Sequence, residues 1–163
     1  MSDQEKTAEV VKFPKSSEKG KSSTEKIWGK PVYSHGYAGI PSILIQAQRR
    51  LGINPTQMNI IVQLLDYWFE PSRRPFPSKK ELAERMAVTP KTIQNNVRAL
   101  EQAGLIKREI RRTAAGDFNS NIYHLDGLVE RVQKLEPEFA ADKKRRKAAK
   151  AALETPKGKL GKA

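Results

Sequence analysis

The sequence predicts a mainly α-helical domain that carries one small β-hairpin and is flanked by disordered, basic tails. Two observations predict the centre of this fold. Residues 78–103 contain two helix start signals and two short apolar stripes, so two helices follow each other across a tight turn. Residues 105–125 then contain two runs of strand-forming residues around a turn. The ordered part, residues 37–127, has the length of one small domain.

The two helices of residues 78–103 have well-marked starts. Ser78 and Glu81 have the Ser-x-x-Glu spacing of a capping box, which satisfies free backbone N–H groups at both positions. The inward face of this first helix is formed by Leu82, Ala83 and Met86. After a turn at Val88, Thr89 is a good N-cap and Pro90 suits the first helical position. The inward face of the second helix is formed by Ile93, Val97 and Leu100, at i, i+4 and i+7.

The opposite face of the second helix carries side chains that suit nucleic acid. Asn and Gln can pair with adenine, and Arg or Lys with guanine, each good pair giving about 1–3 kcal/mol of discrimination in the major groove. An exposed helix also needs polar residues, so a merely solvated face is the alternative. The predicted contacts are Thr89, Lys91, Thr92, Gln94, Asn95 and Arg98, with Gln102 on the same face.

The hairpin is predicted from the residues that follow the second helix. Gly104 is placed to end that helix in a left-handed cap. An outgoing strand over 105–112, a turn over 113–120 and a return strand over 121–125 follow. The ribbon carries a set of polar and basic residues that could touch phosphates or a minor groove: Lys107, Arg108, Arg111, Arg112, Asn119 and Asn121. A charged edge that resists sheet-to-sheet aggregation is the alternative.

Together these residues resemble the winged helix-turn-helix of bacterial regulators and of plasmid and phage replication initiators. The hairpin corresponds to the wing, and its return strand, NSNIYHLDGL over residues 119–128, is similar to that of replication proteins. The resemblance implies binding of double-stranded DNA. We also expect Ser78, Lys79 and Lys80 to contact the DNA backbone. The match runs through Pro77, Ser78, Leu82, Ala83, Val88, Thr89, Thr92, Ile93, Val97, Leu100, Gly104, Leu105 and Ile106.

Residues upstream of Ser78 predict the rest of the domain core. A short helix over about 42–51 precedes a helix that begins at Asn54-Pro55. We expect Trp68 and Phe69 to be core aromatics because they continue the stripe of the second of these helices, and residues 70–77 to form a stiff surface loop. The remaining members of that stripe are Met58, Ile61, Val62 and Leu65.

Residues 128–153 predict a helical, basic extension. Pro137 is expected to break the helix near Glu136 or to start a second one. The run KKRRK at 143–147 is either solvated or attracted to phosphates. An apolar stripe either packs back on the domain or forms a homodimer. Its members are Leu128, Val132, Leu135 and Phe139. Residues 1–30 and 154–163 are expected to be disordered tails.

Composition limits the function further. The net charge of +13 resides mainly in residues 71–163, as a polyanion-binding chain requires. With no cysteine and only His35 and His124, we expect no metal site. The sequence has no apolar leader, no membrane span and no motif for an enzyme, a cofactor or a small-molecule ligand, so a cytoplasmic, nucleoid-associated protein is expected.

Two functions therefore remain open. A sequence-specific transcriptional regulator is favoured because no long second domain is evident. A replication initiator or accessory protein that binds origin repeats is favoured by the Asn-x-Tyr-x-Leu strand at residues 121–125. RNA binding is disfavoured because the sequence predicts no exposed aromatic side chains for stacking bases.

Overall fold

The computed structural model describes residues 20–112, 114–115 and 120–155. These residues fall into two compact units that divide between Tyr37 and Ala38. The first unit contains α1 (Ser23–Tyr33). The second contains α2 (Ser42–Gln46), α3 (Pro55–Tyr67), α4 (Lys79–Met86), α5 (Pro90–Gln102), β1 (Lys107–Glu109), β2 (Ile122–His124) and α6 (Asp126–Glu154).

Helix α1 lies partly inside the tail that the sequence analysis expects to be disordered. Its start has a local cause, since the Glu25 backbone N–H donates to the Ser22 side chain at 3.1 Å. The helix is kinked at Gly29, whose φ is 80° and ψ is 155°, and it contains Pro31. None of its residues is buried. The expectation of disorder is therefore wrong for residues 23–30, because a capped start was overlooked among the polar residues.

The core of the second unit lies between α2, α3, α4, α5 and the start of α6. A full capping box starts α3: the Gln57 backbone N–H donates to Asn54 Oδ1 at 2.8 Å, and the Asn54 backbone N–H donates to Gln57 Oε1 at 3.0 Å. Fully buried side chains come from every one of these elements, which makes one continuous core. Among them are Leu44, Ile60, Ile61, Leu64, Leu82, Ile93, Leu100 and Leu125.

The end of α3 differs from the sequence prediction. The helix ends at Tyr67, and Trp68 already has non-helical φ and ψ of −100° and 82°. Trp68 is half-buried and packs against the core, but Phe69 is 74% exposed. The prediction that Phe69 is a core aromatic is wrong, because the helical spacing that placed it beside Leu65 stops two residues earlier.

Helix α6 runs without a break from Asp126 to Glu154, with Pro137 inside it. The predicted break at Pro137 is therefore wrong. Contacts on both sides of Pro137 stabilise the helix there. They offset the loss of the helical hydrogen bond that proline, which has no N–H, cannot make. The Arg50 guanidinium donates to both carboxylate oxygens of Glu138, at 2.9 and 3.1 Å, and Leu135 and Phe139 pack against the core.

The apolar stripe of α6 is turned towards its own chain. Leu128 is buried, while Val132, Leu135 and Phe139 are partly buried against the core, where α6 packs on α2. This is the intramolecular alternative, so contacts within the chain already occupy the side chains suggested for dimerisation.

The hairpin consists of two short antiparallel strands. Lys107 pairs with His124, Arg108 with Tyr123 and Glu109 with Ile122. Regular pairing stops at Glu109, and Ile110 is 64% exposed, so the outgoing strand is shorter than predicted. Most of the turn that would join the strands, including Asn119, lies outside the described residues. Within the described part of the chain, no helix is both long and apolar enough to cross a membrane.

Candidate nucleic-acid interface

The turn between α4 and α5 has the geometry that the sequence predicts. Ala87 ends α4 with a left-handed φ of 52°, and the Val88 N–H donates to the Ala83 carbonyl at 3.0 Å. The Thr89 side chain then caps α5 by accepting from the Thr92 N–H at 3.1 Å. The two threonine hydroxyls are also hydrogen bonded to each other at 2.9 Å. Thr89 and Thr92 therefore fix the start of α5.

The start of α4 is tied to α3 rather than closed by a full capping box. The Glu81 N–H donates to the Ser78 hydroxyl at 3.0 Å, as predicted. The reciprocal bond is replaced, because the Glu81 carboxylate accepts from the Tyr67 hydroxyl of α3. Arg85 stacks on the other side of this contact, with its guanidinium carbon 4.6 Å from the Tyr67 ring centroid. Tyr67 and Glu81 were not among the predicted functional residues, and they set the angle between α3 and α4.

The Tyr67–Glu81 contact predicts a specific alkaline response. Burial, reinforced by the hydrogen bond to Glu81, raises the pKa of Tyr67 from 10.0 to about 12. The unfolded chain loses this proton first, so the contribution of Tyr67 is fully present below pH 10 and is lost as the pH rises towards 12. Denaturant unfolding across this range should show a steeper decline for the wild type than for Tyr67→Phe. Parallel declines would contradict the assignment.

The two faces of α5 differ sharply in burial. Ile93, Val97 and Leu100 are buried in the core. Lys91, Asn95, Arg98 and Gln102 are exposed, and Thr92 and Gln94 are half-exposed. Within the described ranges no hydrogen bond or ion pair engages the side chains of Lys91, Gln94, Asn95, Arg98 or Gln102. The outward face predicted from the sequence therefore presents unused donors and acceptors.

Asn96 lies on the same helix, but its side chain is hydrogen bonded within the domain. Its Nδ2 donates to the Thr92 carbonyl at 2.9 Å, and its Oδ1 accepts from Asn54 Nδ2 at 3.4 Å. Asn96 thus links α5 to the start of α3, whereas its neighbour Asn95 is exposed and turned away from the domain.

Arg108 does not have the position expected of a free phosphate contact. Its Nε and Nη2 donate to the two carboxylate oxygens of Glu101 at 2.9 and 2.7 Å, and its backbone N–H donates to the same carboxylate at 3.0 Å. The side chains of Arg108 and Glu101 are only 22% and 25% exposed. Arg108 is predicted as a DNA contact, but in the structure it forms a bidentate ion pair with Glu101. This pair fixes β1 to the end of α5.

The Arg108–Glu101 pair should be required for stability at neutral pH. The hydrogen bonds from Arg108 hold the pKa of Glu101 below its usual value, so this contribution is present at neutral pH and is lost as the pH falls through the lowered pKa. Replacing Glu101 with Gln should cost about 1–3 kcal/mol of unfolding free energy near pH 7, and less in acid. Urea titrations at both pH values measure this difference, and a cost independent of pH would contradict it.

The remaining basic residues of the hairpin are placed differently from Arg108. Lys107 and Arg112 are exposed, and the Arg111 guanidinium carbon lies 5.1 Å from the Phe76 ring centroid. Asn121 lines a groove of about 690 Å³ between the hairpin and the start of α4. Ser78, Lys79 and Lys80 line the same groove. The structure thus places Ser78, Lys79 and Lys80, which are predicted to contact the DNA backbone, beside Asn121.

Gly127 is a structural residue that the sequence analysis overlooked. A Cβ on Gly127 would lie 2.0 Å from the Gly104 carbonyl oxygen, so α6 can approach the end of α5 only through a glycine. The Leu128 N–H donates to the Leu105 carbonyl at 2.8 Å in the same contact. The available signal was Gly127 in the first turn of a helix, where glycine is otherwise unfavourable.

Comparisons with known proteins agree with this geometry. Residues 51–106 match the family model described as a helix-turn-helix domain. The N-terminal domain of DnaD protein from Geobacillus kaustophilus has a similar structure, with 24% identity and a TM-score of 0.51 over 71% of this chain and 93% of that one. The chain contains a winged helix-turn-helix domain. In it α4 and α5 are the helix-turn-helix, and β1 and β2 belong to the wing.

Solved structures with lower TM-scores include a protein–DNA complex and a possible transcriptional regulator. The S. aureus MepR–DNA complex is 20% identical with a TM-score of 0.40, over 69% of this chain and 87% of that one. A possible transcriptional regulator from Methanosarcina mazei is 16% identical with a TM-score of 0.43, over 67% and 88%. No curated protein matches the chain. The helix-turn-helix match supports DNA binding as the general activity of the domain.

Proposed function

We propose that the winged helix-turn-helix domain binds double-stranded DNA in a sequence-specific manner and acts as a transcriptional regulator. Helix α5 would enter the major groove with its exposed face towards the bases. The observation that carries this proposal is the row of unused donors and acceptors at Lys91, Asn95 and Arg98, on a helix whose opposite face is buried. These are side chains that can read base edges.

The wing would hold the DNA backbone beside α5. Lys107, Arg111 and Arg112 are the wing residues for this role, and the Arg108 side chain instead pairs with Glu101. Lys79 and Lys80 are exposed at the start of α4 and would add phosphate contacts. Contacts of this kind position a protein on the duplex without reading its sequence.

Replacing both Arg111 and Arg112 with Ala should weaken binding to all duplexes alike. Loss of phosphate contacts should also flatten the dependence of log Kd on log salt by about 0.9 per lost contact. Anisotropy titrations at several salt concentrations measure both effects, with Arg49→Ala as a control that also removes one exposed positive charge. A double variant with an unchanged salt slope would contradict the role of the wing.

A replication initiator or accessory protein is the second candidate. The resemblance of residues 119–128 to replication proteins favours it, although Tyr123, Leu125 and Leu128 of that stretch are buried in the core and are also explained by packing. Genome-wide binding of the intact protein separates the two candidates. Binding at promoters supports the regulator, whereas binding confined to one origin supports the initiator.

A further inference from the structure

The segment between α3 and α4 exposes two aromatic side chains beside the wing. Phe69 is 74% exposed and Phe76 is 43% exposed, although the sequence predicts a core position for Phe69 and only a loop around Phe76. Single exposed apolar side chains are common on protein surfaces, but these two line the same pocket. We call Phe69, Phe76 and the arginines between them, Arg73 and Arg74, the aromatic shelf.

The aromatic shelf is built on a backbone that is fixed at several points. The Arg73 N–H donates to the Glu70 carbonyl at 3.0 Å, which closes a turn containing Pro71. The Pro75 carbonyl accepts from the Tyr123 N–H of β2 at 2.8 Å, and Pro75 is buried. A ligand that stacks on the shelf therefore meets a surface that loses little conformational freedom on binding.

Arg74 is held on two sides but is not fully satisfied. Its Nη2 donates to Asp126 of α6 at 2.9 Å, and its guanidinium carbon lies 4.9 Å from the Trp68 ring centroid. Its Nη1 is buried and has no hydrogen-bond partner in the described part of the chain. Arg74 therefore fixes the segment between α3 and α4 to the start of α6 and to the Trp68 ring.

A pocket of about 350 Å³ opens within the aromatic shelf. It is lined by Tyr67, Phe69, Arg73, Arg74, Phe76 and Glu81, together with Pro75 and Pro77. The Glu81 carboxylate is engaged by the Tyr67 hydroxyl. Arg111 of the wing lies against the Phe76 ring, so a third arginine borders the same surface. Flat apolar rings bordered by arginines are complementary to bases joined by phosphates.

We propose that the aromatic shelf binds an unpaired base of single-stranded DNA. The base would stack on Phe69 or Phe76, while Arg73 and Arg111 attract the phosphates on either side. The proposal goes beyond duplex recognition by α5, since it gives the domain a site for DNA that is open beside the duplex. The charges of Arg73 in the shelf and of Arg111 beside it favour this occupant over an apolar segment of another protein.

The test compares a blunt duplex with the same duplex carrying a single-stranded tail that contains the fluorescent base 2-aminopurine. The full chain should bind the tailed duplex more tightly and quench the 2-aminopurine fluorescence, because stacking quenches it. Phe69→Ala with Phe76→Ala should weaken binding of the tailed duplex about fivefold or more, which is the scale of one lost stacked base, and should restore the fluorescence. Phe69→Ala alone should leave binding of the blunt duplex unchanged, whereas the Phe76 ring also supports Arg111 of the wing.

Three further variants make the result specific. Phe69→Tyr with Phe76→Tyr should keep the quenching, because the ring that stacks is retained. Ile45→Ala removes an exposed apolar side chain from α2 and should behave as wild type. Thermal unfolding must show that each variant is folded, and Phe69→Ala alone serves if the pair is not.

The outcomes for the tail and the duplex separate this proposal from the one on α5. Equal affinity of the wild type for tailed and blunt duplexes, or quenching that survives loss of both rings, would overturn the aromatic shelf as a base-binding site. If the aromatic shelf instead binds a protein segment, the wild type should bind the tailed and blunt duplexes with equal affinity. If the wild type binds the single-stranded tail but not the blunt duplex, duplex recognition by α5 is contradicted. The aromatic shelf is then still supported as a base-binding site.

Discussion

Replacing Gly127 with Ala should destabilise the second unit by about 3 kcal/mol, the upper end of the usual cost of overpacking. A Cβ at this position would lie 2.0 Å from the Gly104 carbonyl oxygen, and that oxygen belongs to backbone rather than to a flexible side chain. The hydrogen bond from Leu128 to Leu105 must then lengthen as α6 moves away from the end of α5. Thermal unfolding followed by circular dichroism should show Tm lowered by about 10 °C or more.

Gly39 provides the matched control for this prediction. A Cβ there would meet nothing within 4 Å, and its backbone is outside the left-handed region, so Gly39→Ala should leave Tm within a few degrees of the wild type. Equal Tm values for the two variants would show that α6 does not need its close approach to α5.

The starts of α3, α4 and α5 can be predicted from the sequence because their causes are local. Ser78, Asn54 and Thr89 each accept the backbone N–H that their capping position requires. Helix ends were harder to predict because they depend on packing. Phe69 continues the apolar spacing of α3 but lies beyond its end, and Pro137 stays inside a continuous α6 that packs against the core on both sides of it.

The candidate DNA-binding site also has features that the sequence predicts and features that it does not. Which face of α5 is outward follows from periodicity, and the exposure of Lys91, Asn95 and Arg98 confirms that orientation. Whether an individual charge is free does not follow from periodicity. Arg108 was predicted from its basic character alone, whereas its pairing with Glu101 requires the end of α5 and the start of β1 to meet. Contacts between elements of that kind were not visible in the sequence.

Replacing Asn95 and Arg98 with Ala should remove most of the preference for a selected DNA site. Each side chain is exposed on α5, and each lost contact to a base costs about 1–3 kcal/mol of discrimination, or roughly 5-fold to 150-fold in the ratio of affinities. Anisotropy titrations on the selected site and on a scrambled duplex measure this ratio. Arg49→Ala, which removes a charge elsewhere, should keep it. Equal weakening on both duplexes would mean that these side chains touch only the backbone.

A cross-linking measurement tests the central claim, that α5 enters the major groove, most directly. The chain contains no cysteine, so Asn95→Cys introduces a single thiol on the outward face of α5 and Ile45→Cys introduces one on α2. Each variant is incubated with a selected duplex that carries a thiol tether on the major-groove edge of a base. If α5 enters the major groove, Asn95→Cys should form a disulfide cross-link and Ile45→Cys should form none. Cross-linking by neither variant, or by Ile45→Cys alone, with binding intact would contradict it.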